Sequence, residues 1–267
     1  MKLNRQTYKD KVYACWIGKN IGGTIGGPYE GKREILDVKG FITKPKEPLP
    51  NDDLDLQLAW LRAVDELGPQ NINSKTLGEY WISWVTPHWN EYGICKANMR
   101  DGLLPPLSGE INNEEWKHSN GAWIRTEVWA CLYPAMVEQA IRFAYEDASV
   151  DHGFGEGTYA AIFVAAMESA AFVIQDAYAL LRIGLSKIPA DCRVARSVKI
   201  VIKAFEAGVP WQEAPTSAGS RLRPTWPSWC WDCSTVREIS SSPCCMQWIA
   251  ETTRTAPAQP SARCSAS

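Results

Sequence analysis

The chain has 267 residues, enough for one large domain with a substantial core but short for two ordinary domains. Its 28 basic and 30 acidic residues give a net charge of -2 and form no long block, so nothing indicates binding to nucleic acid or to an anionic membrane. The N-terminus has no long apolar stretch, and no later window is long enough to cross a bilayer. We therefore expect a cytoplasmic protein with no membrane partner.

The first predicted element is a helix over residues 3–16, which leads into a glycine-rich run over residues 18–28. Such glycines could contact a phosphate, but the run has neither the Rossmann spacing nor the P-loop spacing with its lysine. Close helix packing or a tight turn is an equally good interpretation.

Asn51, Asp52 and Asp53 directly precede a second helical pattern, which ends at Gly68. Residues of this kind commonly cap a helix N-terminus and interact favourably with its dipole. Their oxygens are also the hard ligands that Mg²⁺ prefers, provided that further carboxylates come from elsewhere in the chain.

The remaining segments before residue 211 continue the helical character. Residues 88–120 are rich in glycine, proline and asparagine, which predicts a long surface excursion. Helical spacing returns over residues 121–146, and a turn is predicted over residues 147–157. The alanine-rich segment 158–183 predicts a helix buried on most of its circumference, and a last helix is predicted over 193–207. Because no strand-like alternation occurs, the predicted fold class is all-α.

Two short polar segments are candidates for ligand contact. Ser119, Asn120 and Gly121, followed by Arg125, could line a ribose or phosphate pocket, or could cap a helix that carries an exposed arginine. His152 precedes the alanine-rich helix, where it could orient a substrate or a water molecule, or could satisfy a turn. The residues alone leave both pairs of alternatives open.

The character of the sequence changes after about residue 211, where proline, serine, threonine, arginine, cysteine and tryptophan dominate without a helical or strand period. A disordered tail usually lacks tryptophan and cysteine. A metal module built on Cys230 and Cys233 lacks a second pair at a suitable spacing. We therefore interpret this segment as read in a shifted frame.

A shifted frame can be examined on paper, because each new codon ends with the first two bases of the next printed codon, and up to four residues fit each shifted codon. Residues 224–235 then permit an apolar string typical of a buried helix, and residues 248–256 permit aspartate-aspartate-threonine-aspartate. We predict an incomplete helical domain over residues 1–214 and a frameshifted, disordered or poorly packed tail over residues 215–267.

Four segments occur in an order that resembles the ADP-ribosylglycohydrolase family, including proteins like the dinitrogenase reductase-activating glycohydrolases. They are the N-terminal glycine-rich helix end, residues 50–53, residues 119–125, and residues 147–152 with 165–167. The resemblance covers roughly residues 8–211. It implies a single orthogonal multi-helical domain with a binuclear Mg²⁺ or Mn²⁺ centre. It also implies cleavage of the N- or O-glycosidic bond that joins ADP-ribose to a protein or a small molecule.

The resemblance implies that Asp52 and Asp53 are metal ligands, with Asn51 as an accessory ligand where the family usually has threonine. It also implies catalytic roles for Asp53 and His152. The second metal element, an aspartate cluster near the C-terminus, is missing from the printed frame, so we expect an incomplete second ion site and little or no activity. The residues implied to contact substrate are Ser119, Asn120, Gly121, Asp151 and His152.

Two functions of other classes stay open. One is a non-catalytic module that binds ADP-ribose or a nucleotide, which ADP-ribose binding without metal-dependent turnover would favour. The other is a helical interaction protein without a ligand, which the absence of any thermal shift with Mg²⁺ and ADP-ribose would favour.

Overall fold

The computed structural model describes residues 3–29, 38, 40–42 and 51–209. Within these residues the chain forms ten α-helices and no strand, which confirms the predicted all-α fold class. The predicted domain boundary at residue 214 and the tail 215–267 lie outside the described residues. The helices are α1 Arg5–Gly26, α2 Asp52–Leu67, α3 Ser74–Trp84, α4 Asn90–Arg100, α5 Leu107–Glu110, α6 Glu127–Leu132, α7 Val137–Asp151, α8 Glu156–Ala171, α9 Ala177–Leu185 and α10 Arg193–Glu206.

Helix α1 is longer than predicted. The Asn4 side chain accepts the backbone N–H of Gln6 at 2.7 Å and so caps its N-terminus, as expected for asparagine. The helix then continues through the glycine-rich run to Gly26, where the sequence predicted an end at residue 16. Glycine weakens a helix by about 0.5–1 kcal/mol, but a methyl group at Gly23 would clash with the side chain of Asn51. The glycine therefore permits the close approach of α1 to the start of α2.

The predicted surface excursion over residues 88–120 is wrong for much of its length, because α4 and α5 lie within it. Tyr92, Cys95 and Met99 of α4 are core residues, and the Tyr92 ring lies 5.0 Å from that of Trp81. The buried face of α4 also carries Glu91, Lys96 and Asn98, so its apolar period is diluted and escapes a periodicity analysis.

The predicted turn over residues 147–157 is also shorter in the structure. Helix α7 continues to Asp151, and only the segment from His152 to Gly155 leaves the helix, with φ of +56° at Gly153 and +134° at Gly155. Asp147 and Asp151 are one helical turn apart and both are buried. In the sequence alone, two aspartates close together are typical of an exposed loop, which is why a turn was predicted here.

The predicted buried helix over residues 158–183 is divided in two, because α8 ends at Ala171 and α9 begins at Ala177. Twelve of the sixteen residues of α8 are buried, which confirms that this helix is central. The predicted last helix is confirmed as α10.

The core contains two large apolar clusters. One surrounds Trp60, Trp81 and Trp129, and the other surrounds α8 with Phe163 and Leu180. Buried polar groups lie among these clusters, on α4, on residues 119–126 and at the end of α7. Among the described helices, none combines the length and apolar character that a membrane span requires.

Candidate functional site

Ser119, Gly121, Asp151 and His152, four of the residues expected to contact substrate, lie together. Ser119 Oγ is 3.0 Å from His152 Nε2, and His152 Nδ1 is 3.0 Å from Asp151 Oδ1. The Gly121 N–H donates to Ser119 Oγ at 3.3 Å. The His152 side chain is fully buried at the C-cap of α7, while Asn120 is exposed beside the cluster.

The sequence did not identify Glu91, which completes this cluster. Its Oε1 accepts a hydrogen bond from Ser119 Oγ at 2.8 Å, and its buried Oε2 has no hydrogen-bond partner. Burial raises the pKa of Glu91, an effect that the charge of His152 opposes. Glu91 lies in the first turn of α4, where a carboxylate interacts favourably with the helix dipole. This position could have marked Glu91 as a helix-start residue, but the sequence predicted a loop there.

Arg125 is buried beneath the cluster, so neither a ligand-lining role nor an exposed position is correct. Its Nη2 donates to Asp151 Oδ1 at 2.7 Å, and its Nε donates to Asp147 Oδ1 at 2.9 Å. Trp129 Nε1 donates to the other oxygen of Asp147 at 2.9 Å. The guanidinium therefore holds two core carboxylates together instead of facing a pocket.

The two carboxyl groups differ in pKa. Burial raises the pKa of each, and the positive charge of Arg125 lowers it. For Asp151 the charges of Arg125 and His152 prevail and lower the pKa to about 2, whereas for Asp147 burial prevails and raises it to about 6. Asp151 is therefore the permanent negative charge next to His152.

The candidate metal ligands lie at the N-terminus of α2, as predicted. Asn51 Oδ1 accepts the N–H of Asp53 at 3.0 Å, so Asn51 is a helix cap. Asp52 is exposed, and its Oδ2 accepts the hydroxyl of Tyr92 at 3.1 Å. Amide and carboxylate oxygens each accept more than one bond, so this donor set still fits a hard cation such as Mg²⁺.

No third acidic, histidine or cysteine ligand joins Asp52 and Asp53 within the part of the chain that the structure describes. The one such trio at mutual ligand distance there is Glu91, Asp151 and His152. Both oxygens of Asp151 are already bonded to Arg125, which makes this trio a poor cation site. A third acidic, histidine or cysteine ligand for an ion at Asp52 and Asp53 would have to come from residues outside the described ranges.

Lys19 adds a positive charge near Asp53, and the sequence did not single it out. Its Nζ lies 2.6 Å from Glu127 Oε1, and Gln57 Nε2 donates to Glu127 Oε2 at 2.9 Å. Burial alone would lower the pKa of Lys19, but the charges of Glu127 and Asp53 raise it. The ammonium therefore stays charged and partly neutralises the carboxylates at the start of α2.

Helix α4 connects the two groups of candidate residues. Tyr92 donates to Asp52, and the preceding residue, Glu91, accepts from Ser119. The carboxylates at α2 and the cluster around His152 are therefore joined through two consecutive side chains.

Within the described residues the chain is all-α, and helix α4 joins the carboxylates at the start of α2 to the buried cluster of Ser119, Asp151 and His152. The sequence profile of the ADP-ribosylglycohydrolase family matches residues 4–256. The chain therefore belongs to the ADP-ribosylglycohydrolase family, a group of glycosidases that act on ADP-ribose conjugates. Comparison with curated protein sequences gave no match. The matched range includes residues 215–256 of the segment that we interpret as frameshifted, and the reading frame of that segment stays a prediction.

Proposed function

We propose that the protein is a Mg²⁺-dependent hydrolase that cleaves the glycosidic bond of an ADP-ribosyl conjugate, either a modified protein or a small molecule. The observation that carries the proposal is the hydrogen bond from Tyr92 to Asp52, in a chain of this family. Through Glu91 on the same helical turn, it connects a carboxylate pair suited to a hard cation with the Ser119 and His152 cluster.

Asn51, Asp52 and Asp53 would hold the ion, Mg²⁺ or Mn²⁺. When bound, the ion would polarise ribose oxygens and lower the pKa of a bound water molecule. Hydrolysis joins the water oxygen to the anomeric carbon and breaks the bond from that carbon to the leaving group, so one proton leaves the water and one proton ends on the departing oxygen or nitrogen. We assign the proton from the water to the carboxylate of Asp53, acting as general base.

The second group of residues would bind and orient ADP-ribose. Ser119, Asn120 and Gly121 supply a hydroxyl, an exposed amide and a backbone segment without a side chain, and Asp151 Oδ1 lies 3.0 Å from His152 Nδ1. Arg125 keeps Asp151 ionised, so the imidazole of His152 retains a fixed negative neighbour. These contacts favour a preorganised site, which reduces the entropy lost on binding.

The second metal element of the family is missing from the printed reading frame. We therefore propose that this chain is impaired or inactive, because binding of the second ion needs a cluster of aspartates that the printed tail lacks. The rival function is a non-catalytic module that binds ADP-ribose. It is favoured because, among the described residues, no group of three histidine, cysteine or acidic ligands at mutual ligand distance includes Asp52 or Asp53.

The experiment compares the printed chain with a chain whose tail is translated in the restored frame. Peptides carrying ADP-ribose on arginine or serine are incubated with each protein and Mg²⁺, with a chelator as the metal-free control, and free ADP-ribose is measured. We expect release only from the restored chain, and its loss in Asp52→Asn and Asp53→Asn. Asp65→Asn, an exposed aspartate on the same helix, is the matched control. If the restored chain binds ADP-ribose and releases none from either conjugate, the binding-module function replaces the hydrolase.

A further inference from the structure

The hydroxyl of Ser119 has three polar neighbours. Its Oγ lies 2.8 Å from Glu91 Oε1 and 3.0 Å from His152 Nε2, and the Gly121 N–H donates to it at 3.3 Å. A serine hydroxyl has one proton and two acceptor positions, so three neighbours use all of its capacity. The single proton can point to Glu91 or to His152, but not to both.

The surroundings of Glu91 decide between these two directions. Glu91 is buried, and its Oε2 has no hydrogen-bond partner. If the Ser119 proton pointed to His152, the carboxylate of Glu91 would lose its one side-chain donor, and loss of a donor to a buried carboxylate is costly. If the proton points to Glu91, His152 Nε2–H donates to Ser119 Oγ and every neighbour of the hydroxyl is satisfied.

Glu91 also packs against the backbone that follows Ser119. A methyl group at Gly121 would clash with Glu91 Oε1 and would lie 3.1 Å from His152 Cε1. The carboxylate therefore touches the turn of residues 119–121 at two points, through the Ser119 hydroxyl and against Gly121. Neither contact involves Asn120, which stays exposed.

We propose that Glu91 is the positioning residue of the turn formed by Ser119, Asn120 and Gly121. It acts by accepting the Ser119 proton, which makes His152 Nε2 the donor in the bond between Ser119 and His152. The role of the turn in binding ADP-ribose rests on the proposed function, but the direction of the hydrogen bond does not. Glu91 itself needs no contact with substrate.

The direction can be measured on the full chain by NMR of ¹⁵N-histidine. The chain has three histidines, and His88 is exposed while His152 is fully buried, so the signals can be assigned with single His→Gln variants of His88 and His118. We expect a protonated Nε2 at His152 in the wild type. An unprotonated Nε2 would overturn the proposal without any need for a variant.

Two substitutions at Glu91 test the cause. Glu91→Gln keeps a carbonyl acceptor for Ser119 and should retain the protonated Nε2 of His152. Glu91→Met keeps the length of the side chain but removes the acceptor, so the Ser119 proton should turn to His152 and the Nε2 proton should be lost. Glu114→Gln, at an exposed glutamate, is the matched control. If Glu91→Met leaves His152 unchanged, or cannot be folded while Glu91→Gln loses the Nε2 proton, the proposal is wrong.

Binding of ADP-ribose separates this proposal from the proposed function. We expect Glu91→Met to weaken binding by about tenfold and Glu91→Gln by much less, as for loss of one charged hydrogen bond. If the wild type binds no ADP-ribose yet shows the expected change at His152, the proposed function fails and the assignment of Glu91 stands. If the wild type binds ADP-ribose and Glu91→Met binds equally well, Glu91 does not position the turn and this inference fails alone.

Discussion

Arg125 holds Asp151 through two hydrogen bonds, from Nη2 at 2.7 Å and from Nη1 at 3.1 Å, with both side chains inaccessible to solvent. A third bond joins Arg125 Nε to Asp147. One guanidinium thus satisfies two buried carboxylates on the last turns of α7, next to His152. Loss of either side of such a pair leaves an uncompensated charge in the core, which is strongly unfavourable.

Substitution of Arg125 should therefore affect stability before it affects chemistry. We expect Arg125→Met to lower the free energy of unfolding by about 3–5 kcal/mol, because Asp151 would remain charged and unpaired. Arg125→Lys should lose less, since it keeps the charge but not the paired geometry. Chemical denaturation measures both. Arg196→Met, at an exposed position on α10, is the control and should change stability by about 0.5 kcal/mol or less. A similar effect of both methionine variants would contradict this account.

The raised pKa of Asp147 predicts a pH dependence of stability. Its pKa is about 6 in the folded chain and 3.8 as the ordinary value, so between these pH values the folded state holds a proton that the unfolded state has released. The resulting stabilisation is complete below about pH 4 and is lost as the pH rises through about 6. A shift of about two units corresponds to up to about 3 kcal/mol.

Asp147→Asn isolates this contribution, because the introduced amide does not titrate in this pH range. Glu91 and Glu168 also have raised pKa values and contribute with the same sign, so the wild type alone cannot identify one residue. We expect the stability of the variant to fall less steeply between pH 4 and 6 in urea denaturation. Parallel curves for the two proteins would show that Asp147 does not titrate in this range.

Gly121 and Gly22 form a pair of substitutions with opposite expected effects. A methyl group at Gly121 would clash with Glu91 Oε1, whereas one at Gly22 in α1 would meet no atom within 4 Å. Gly121→Ala should destabilise the fold by about 1–3 kcal/mol, as overpacking usually does. Gly22→Ala should raise stability by about 0.5–1 kcal/mol through helix propensity. Thermal unfolding of both variants tests the fit between Glu91 and the turn.

Substitution of Tyr92 can remove the hydrogen bond that connects α4 to Asp52 while the packing of the core is kept. Tyr92→Phe keeps the buried ring next to Trp81 but loses the hydrogen bond to Asp52. We expect stability to fall by about 1 kcal/mol and the thermal stabilisation by Mg²⁺ to shrink, because Asp52 is no longer oriented. Tyr80→Phe, which removes a hydroxyl bonded to Glu66, is the matched control and should keep the full response to Mg²⁺.

The sequence predicted those parts of the fold whose buried residues are mostly apolar and regularly spaced. Helices α2, α8 and α10 have such patterns, together with clear end signals at Asn51 and Gly208. The sequence-based prediction failed where buried positions are polar. Glu91 and Lys96 in α4 and Asp147 in α7 are residue types that usually lie on the surface or in loops, so the sequence alone does not predict their burial. Their burial depends on partners far along the chain, which local periodicity does not contain.

The same limit applies to the site. Ser119, Asp151 and His152 were singled out by a resemblance in motif order, and the structure places them in contact. Glu91 and Lys19 belong to no short motif. Each contacts a partner more than 25 positions away along the chain: Glu91 contacts Ser119, and Lys19 contacts Glu127. No spacing rule for a single segment identifies such pairs.

The reading frame of the tail gives the prediction that bears most directly on activity. The shifted frame permits two aspartates, a threonine and a further aspartate over residues 248–256, and these residue types are hard oxygen ligands. Sequencing of the coding DNA across codons 205–267 should show one base gained or lost near codon 215. The corrected protein should be stabilised by Mg²⁺ more strongly than the printed chain. The added aspartates would contribute ligands to a site that exists only in the folded state, so Mg²⁺ would bind that state more tightly. If the printed frame is confirmed instead, the chain lacks half of the expected metal centre, and ADP-ribose binding without turnover becomes the expected function.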